Sequence, residues 1–475
     1  MSDVETFDFV VIGSGPAGQK AAVQAAKEGR SVALIERDRQ VGGSCVYRGT
    51  IPSKTLRENA LQLARAAQCR QAVTAQLEQH APMNHLLSRL QQVLDSHDRL
   101  IADQMDRNDI DMVHGRAAFE DAEHLTVTSV DGSERRLRAS HVVIATGSRP
   151  RAPEDIPVDH EYILDSDSVL SMCYLPKSMI VLGSGVIACE YASIFALLGV
   201  EVTVVDRFPS PLGFLDPELS ARFQSAFESF GGRFVGKAKL SDIYWDGACE
   251  VVARMDSGVQ ISAEKALFAL GRVANVSGLG LEKAGLELSQ YGTIEVNESC
   301  QTKVPHIYAV GDVIGAPALA SSSMDQGRRA VRHALGLEPG SAPHTIPSGI
   351  YTIPEIASVG LSEVAARKAH GAVKVATVDF AEVARGQIAG VQDGLLKMIA
   401  DENGDKLLGC HIVGEGATEL IHLAQMALVT DQCVDIFVEN TFNFPTLAEA
   451  YRIGALAIMA QRPALATPTP VAATG

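Results

Sequence analysis

The stretch Phe9-Val-Val-Ile-Gly-Ser-Gly-Pro-Ala-Gly18 decides the reading of this chain. An apolar run ends in Gly13, Gly15 and Gly18, small residues follow, and Ser31-Val-Ala-Leu-Ile-Glu36 closes the unit on an acid. This pattern is a buried strand, a glycine turn opening a helix, and a second strand. The glycines have separate tasks. Gly13 makes the tight turn, Gly15 lets a pyrophosphate approach the backbone, and Gly18 lets the helix lie close to the sheet. The start of the helix then turns its partial positive charge on the phosphates, and Glu36 accepts hydrogen bonds from ribose hydroxyls.

Further along, Ile180-Val-Leu-Gly-Ser-Gly-Val-Ile-Ala188 runs through Tyr191–Leu198 into Val202-Thr-Val-Val-Asp206. Gly13 to Glu36 and Gly183 to Asp206 both span 23 residues, so the chain carries two copies of one βαβ plan. Ala188 takes the third glycine position, which sets only helix packing. Asp206 favours the ribose 2′-OH of NAD and repels the 2′-phosphate of NADP. Arg207, which follows it, offsets part of that repulsion.

Between the copies, residues 55–108 read as two long helices, with Leu56, Leu61 and Leu63, then Leu86, Leu87, Leu90, Val93 and Leu94 at helical spacing. A short antiparallel ribbon around His124–Thr128 leads to His141-Val-Val-Ile-Ala-Thr-Gly147. A second ribbon, Cys249–Ala253 and Gln260–Ile261, leads to Ala266–Arg272. Residues 345–460 mix strands such as Leu395–Ile399 with helices such as Thr418–Val429, the pattern of a separate α+β domain.

Composition narrows the function. The 475 residues are too many for one ordinary core, and 46% apolar with 21% charged is the balance of a globular protein. A net charge of −16 and 5% aromatics argue against a nucleic-acid or anionic-membrane surface. The eight cysteines form no C-x-x-C pair and read as reduced thiols, most of them buried. No stretch reaches the roughly 20 apolar residues that span a bilayer, and the N-terminus lacks a signal-peptide plan. The expected location is the cytoplasm.

Over residues 5–462 the sequence resembles the two-dinucleotide disulfide oxidoreductase family. The resemblance rests on Val41-Gly-Gly-Ser-Cys45, Pro52-Ser-Lys54, Ala145-Thr-Gly147, Gly271-Arg272, Thr302 with Ile307-Tyr-Ala-Val-Gly-Asp312, and Phe444-Pro-Thr with Glu449. It implies an α/β fold of two Rossmann-like dinucleotide-binding domains, the NAD(P) domain inserted in the FAD domain, plus a C-terminal α+β dimerisation domain. The expected boundaries are 1–150 and 272–343 for FAD, 151–271 for NAD(P), 344–462 for dimerisation, and 463–475 for a disordered tail. FAD and NAD(P) are the implied cofactors, and a homodimer or larger homo-oligomer the implied assembly.

The resemblance further implies that Asp312 holds the flavin's ribityl chain and that Lys54 and Glu190 form an ion pair where hydride passes. A fixed cation there favours a reduced, anionic flavin. Further cofactor contacts are implied at Pro16, Ala17, Arg37, Gly43, Ser44, Cys45, Thr50, Ala145, Thr146, Gly147, Gly183, Gly185, Val186, Ile187, Arg207, Gly271, Gly311 and Ala320.

Two departures matter more than the matches. The family's redox disulfide needs C-x4-C, whereas Cys45 is followed at that spacing by Thr50. The family's histidine before Pro-Thr is Phe444, although Glu449 is kept. Without the dithiol and its acid–base partner, disulfide exchange has no route. That pattern resembles the soluble pyridine nucleotide transhydrogenases, as do Gly49–Lys54 with Leu56-Arg57, Asp165–Ser168, Cys189–Phe195, Gly349–Glu355, Thr441–Thr446 and Ala448–Arg452. The implied activity is hydride transfer between NADPH or NADH and NAD+ or NADP+ by way of FAD. An NAD(P)H:quinone reductase on the same scaffold is the alternative.

Cys45 matches the outer cysteine of the family and reads as a quiet thiol. His411 and His422 read as core or surface histidines with no metal-ligand spacing. Met324, Asp325 and Gln326 lie on a helix expected to offer backbone rather than side-chain chemistry, and Arg149 and Arg151 read as solvated linker charges.

Overall fold

The computed structural model describes residues 4–71, 83–153, 156–340 and 345–463. Their contacts divide the chain into two units: Met1–Arg207 with Ala238–Ala342, and Phe208–Lys237 with Pro343–Gly475.

The first unit begins with β1 (Val4–Ile12), α1 (Pro16–Lys27), β2 (Val32–Glu36), α2 (Gly43–Tyr47), α3 (Thr50–Gln71) and α4 (Met83–Arg107). Strands β3 (Asp111–His114), β4 (Arg116–Phe119), β5 (His124–Thr128) and β6 (Glu134–Ile144) follow. The sheet order is β3-β2-β1-β6-β5-β4, with Ile307–Ala309 added beside β6. β1, β2 and β3 pair in parallel, which needs both faces covered, and β2 is accordingly buried at every residue. The long strand β6 does two jobs. Its first half alternates in burial and pairs antiparallel with β5, while its end is continuously buried and pairs in parallel with β1 and Ile307–Ala309.

Both expected helices form, α3 and α4, with Leu56 and Leu90 buried. The side chains of Leu86 and Leu87 lie outside the described residues.

After β7 (Ser148–Pro150) and β8 (Ile163–Asp165) come β9 (Ser178–Leu182), α5 (Val186–Leu197) and β10 (Glu201–Val205). They build a second parallel arrangement, β10 beside β9, β9 beside Lys265–Phe268, and that strand beside β8. A three-stranded antiparallel ribbon, Leu240–Trp245, Val251–Met255 and Gln260–Ala263, precedes Lys265–Phe268, as the sequence pattern requires.

The second unit is an antiparallel sheet ordered Ser348–Ile350, Ile356–Gly360, Leu407–Val413, Leu395–Ala400 and Lys374–Asp379. Ala417–Val429 and Glu449–Met459 contribute Ile421, Ala424, Tyr451 and Ile458 to its core. Helix Pro217–Ser229 belongs to this unit and is capped by Asp216, whose carboxylate accepts from the Glu218 N–H. Lys397 is buried beside that cap, 3.1 Å from Asp216, 3.4 Å from Glu218 and 2.8 Å from Glu363. His411 is buried with Nε2 3.0 Å from the Leu361 carbonyl, and His422 sits on a helix 2.8 Å from Gln425. Residues 464–475, nearly all of the expected tail, lie outside the described residues.

The thiols depart from expectation. Cys189, Cys300 and Cys410 are buried, but Cys173, Cys249 and Cys433 are exposed. These three lie on segments connecting helices and strands, where a small apolar side chain has no core to enter. The side chain of Cys69 lies outside the described residues.

Candidate functional site

The two glycine turns match atom for atom. Gly13 sits at φ +106° and donates to the Ile35 carbonyl at 2.8 Å; Gly183 sits at φ +105° and donates to Val205 at 2.9 Å. A Cβ at Gly13 would lie 2.4 Å from the Ala145 carbonyl oxygen, and one at Gly183 would lie 2.8 Å from that of Ala269. The next strand is tied down in the same way, by Ala145 N–H to Ile12 at 2.8 Å and Ala269 N–H to Leu182 at 3.0 Å. A side chain at either turn would push the strands apart.

The middle glycines do the opposite. A Cβ at Gly15 or Gly185 would meet nothing within 4 Å. Both residues are N-caps without a side-chain cap hydrogen bond. Pro16 takes the first helical position, where a missing N–H costs nothing, and Ala17 follows; Val186 and Ile187 occupy the equivalent turn of α5. Gly18 is the tightest point, since its Cβ would fall 1.8 Å from the Gly13 oxygen. Ala188 is buried, so the second turn accommodates the methyl that the first excludes. Open cradles at two helix N-termini fit the phosphates of two dinucleotides.

Each strand-end acid is held inward. Glu36 accepts from Ser14 N–H at 3.0 Å, Ser14 Oγ at 2.6 Å and Asp38 N–H at 3.0 Å. Asp206 accepts from Ser184 Oγ at 2.7 Å. Arg37 makes a loose exposed pair with Asp38 at 3.9 Å, and Arg207 is exposed.

Around the first cradle, Gly43, Ser44 and Cys45 form the start of α2, and a Cβ at Gly43 would lie 2.9 Å from Gly15 Cα. Thr50 opens α3 near the Cys45 thiol. Burial pushes that thiol up, with Thr50 and Lys54 opposing the shift. That direction moves Cys45 away from the thiolate form that nucleophilic chemistry uses. Lys54 and Glu190 meet at 2.7 Å, with Glu190 nearly buried and Lys54 partly so. Lys54 also donates to Ser53 Oγ at 3.2 Å.

The opposite wall is one connected network. Asp312 accepts from Ser148 Oγ at 2.6 Å, and Ser148 is held by Arg272 through Nε at 2.9 Å and through its own carbonyl at 2.9 Å. Thr146 Oγ1 donates to the Asn275 carbonyl at 2.7 Å, and Asn275 N–H donates back to Gly147 at 2.9 Å. Gly271 accepts from the Arg151 N–H at 3.1 Å, and Arg149 reaches the Ala274 carbonyl at 3.2 Å. Gly311 is held by the Gln326 side chain at 2.8 Å, so that residue acts through its amide and not only through backbone. Ala320 begins helix Ala320–Ala334 without a side-chain cap. Ser14, Ser184, Ser148 and Asn275, which motif reading passes over, hydrogen-bond the expected site residues Glu36, Asp206, Asp312 and Thr146. The two serines could have been found by superposing the repeats, since each stands between the first two glycines.

The family model described as pyridine nucleotide-disulphide oxidoreductase matches residues 7–327, and its dimerisation domain matches residues 346–454. The chain belongs to the pyridine nucleotide-disulphide oxidoreductase family. Within it, the chain is 42% identical over 463 residues to the soluble pyridine nucleotide transhydrogenase of Mycobacterium tuberculosis, covering 97% of this chain and 98% of that protein. It is 40% identical over 455 residues to the protein of that name from Yersinia enterocolitica, covering 95% and 97%. The crystal structure of LpdA from Mycobacterium tuberculosis superposes with a TM-score of 0.89 at 27% identity, covering 96% of this chain and all of that one.

Against the family's pattern, the missing redox thiol is Thr50, and the missing histidine is Phe444, which is 74% exposed. Glu449 keeps one buried oxygen with no hydrogen-bond partner among the described residues.

Proposed function

We propose that this oxidoreductase uses FAD to move hydride between the NADPH/NADP+ and NADH/NAD+ couples, as the names of its relatives describe. The observation that carries the reading is that Thr50 stands at the second-cysteine spacing from Cys45. A hydroxyl stands where disulfide chemistry needs a second sulfur, and burial raises the pKa of the remaining thiol. Bound FAD supplies a two-electron centre that takes up and returns hydride.

The chain's residues have supporting roles. The first cradle, with Gly15, Gly43 and Glu36, would hold the FAD pyrophosphate and ribose, and Asp312, fixed by Ser148 and Arg272, its ribityl chain. The second cradle, with Gly185 and Asp206, would hold either nicotinamide nucleotide in turn. Lys54, oriented by Glu190, keeps a positive charge beside the reacting ring. No acid–base group is needed, because hydride transfer between nicotinamide and flavin moves no proton through the protein.

We assign FAD binding to residues 1–150 and 272–343, nucleotide binding to 151–271 and dimerisation to 344–462. In the last segment Leu423, Met426 and Val429 expose an apolar stripe on helix Ala417–Val429, suited to a homodimer interface. No helix among the described residues is long and apolar enough to cross a membrane. We place the reaction in the cytoplasm, where the seven described cysteines, all free, would stay reduced. The test is transfer from NADPH to thio-NAD+ by the FAD-loaded protein. Transfer to a quinone alone would leave the diaphorase reading instead.

A further inference from the structure

We infer that Arg272, braced by the Asp165–Ser168 turn, is a positioning residue for hydride transfer: it latches the nucleotide-binding region to the residue that holds the flavin's ribityl chain. The inference rests on the proposed division into FAD-binding and nucleotide-binding regions.

The chain leaves the first sheet through β7 and returns to it through Arg272–Ala274, and these two short strands pair antiparallel, with Arg272 opposite Pro150. Any swing of one sheet against the other has to bend this ribbon. Arg272 stands on it and reaches both ways. Toward the first sheet, Nε donates to Ser148 Oγ and Nη2 to the Ser148 carbonyl, both at 2.9 Å, and Ser148 Oγ donates to Asp312 at 2.6 Å. Toward the second sheet, where Asp165 ends β8, Nη1 lies 3.5 Å from Ser166 Oγ and 3.8 Å from Asp167 Oδ1. Three nitrogens of one planar group thus serve two segments, a geometry that lysine cannot reproduce.

The Asp165–Ser168 turn lies outside both glycine cradles and is wound to present those two side chains. Asp165 Oδ1 accepts from the N–H groups of Asp167 at 2.9 Å and Ser168 at 2.7 Å, and from Ser168 Oγ at 2.9 Å. Ser168 Oγ in turn accepts from the Asp165 N–H at 2.9 Å. Asp167 Oδ1 is buried with no hydrogen-bond partner among the described residues, a costly place for a carboxylate unless a cation is close. Burial raises the Asp167 pKa, and Arg272 is the stronger of the two arginines that oppose the shift, ahead of Arg48. The charge of Asp167 also reaches α5, where it adds to burial and to Glu190 in raising the Tyr191 pKa. The latch therefore acts on the helix that supplies Glu190 to the Lys54 pair.

A nicotinamide ring held by the second region must meet the flavin within hydride reach, and about 1 Å of misplacement can cost about a hundredfold in rate. Arg272 would set that register, through Ser148 and Asp312 on one side and the turn on the other.

The test is anaerobic stopped-flow reduction of the FAD-loaded enzyme by NADH. Calorimetry reads NAD+ affinity, and the long-wavelength charge-transfer absorbance of reduced flavin with NAD+ reads ring stacking. Asp167→Asn should slow flavin reduction at saturating NADH about tenfold and weaken the charge-transfer band, while NAD+ affinity and flavin content stay within about twofold. Arg272→Lys should slow it about a hundredfold, and adding Asp167→Asn to that variant should cost less than about twofold more. An unchanged rate and band in Asp167→Asn, or its full effect repeated in the Arg272→Lys background, overturns the proposal. A lower flavin content or melting temperature with a wild-type rate in the flavin-loaded fraction shows a merely structural turn and overturns it too. If Asp167→Asn loses its flavin, Asp165→Asn decides: it slackens the turn and should slow reduction about threefold with flavin retained. An unchanged rate there counts against the latch. Wild-type enzyme that NADH fails to bleach overturns the hydride-transfer reading itself, and the latch with it.

Discussion

Replacing Gly18 by alanine tests the geometry of the first cradle directly. The added methyl would lie 1.8 Å from the Gly13 carbonyl oxygen. Relief to the roughly 3.3 Å of a close C–H···O contact needs about 1.5 Å of movement of α1 away from the turn. That movement is blocked on the far side, where Gly327 packs so closely that a Cβ there would lie 2.2 Å from the Ala17 oxygen. Overpacking of this kind costs about 1–3 kcal/mol and sometimes more. With both sides closed we expect about 3 kcal/mol, or about a hundredfold in FAD affinity if the strain falls on the holo state. The measurements are the flavin-to-protein absorbance ratio after gel filtration and the apo and holo melting temperatures. A variant that purifies saturated with flavin and melts with the wild type would refute the packing argument. The reciprocal change, Ala188→Gly, meets no such limit and should leave flavin content unaltered.

Lys54→Met removes the cation from the buried carboxylate of Glu190; hydride transfer should fall on the order of a hundredfold while flavin content holds. Full activity would remove Lys54 from the chemistry. Cys45→Ser should transfer hydride within about twofold of wild type, since loss of a half-buried thiol with a raised pKa costs little. Alkylation of Cys45 should accelerate only above the ordinary thiol range, and rapid labelling at neutral pH would revive a redox role. Lys397→Met should destabilise the second unit by about 3 kcal/mol, because the buried carboxylate of Asp216 would lose its cation. Hydrogen bonds from Lys397 and Arg367 hold Glu363 below its ordinary value of 4.5. The stability it contributes is thus present above that value and is lost as pH falls through the depressed one. Acid melting curves should show this loss in the wild type and a shallower one in the variant.

Much of the first unit was legible in the sequence because the determining contacts are local. A turn at φ +106° demands glycine at position 13, and burial on both faces demands the unbroken apolar run of β1. The same holds for Glu36 and Asp206, which sit at a fixed reach from their turns. The supporting contacts were less legible because they join distant segments. Ser148 and Arg272 are 124 residues apart, and Asp312 is fixed through them. Ser14 and Ser184 stand inside the glycine motifs, and only the fold brings them to Glu36 and Asp206. Lys397 lies within the expected strand Leu395–Ile399, and only the placement of Asp216 and Glu363 makes it a buried cation. The exposed thiols were misplaced because cysteine was taken as an apolar residue, whereas Cys173, Cys249 and Cys433 follow their connecting segments.

The most direct measurement is anaerobic stopped-flow absorbance of the FAD-loaded enzyme, bleached with NADPH and then mixed with thio-NAD+. With Thr50 at the second-cysteine position electrons have no disulfide exit, so yellow absorbance should return at the rate of turnover, with thio-NADH formed in equal amount. An enzyme that stays bleached with thio-NAD+ but is rapidly reoxidised by a quinone would contradict the assignment.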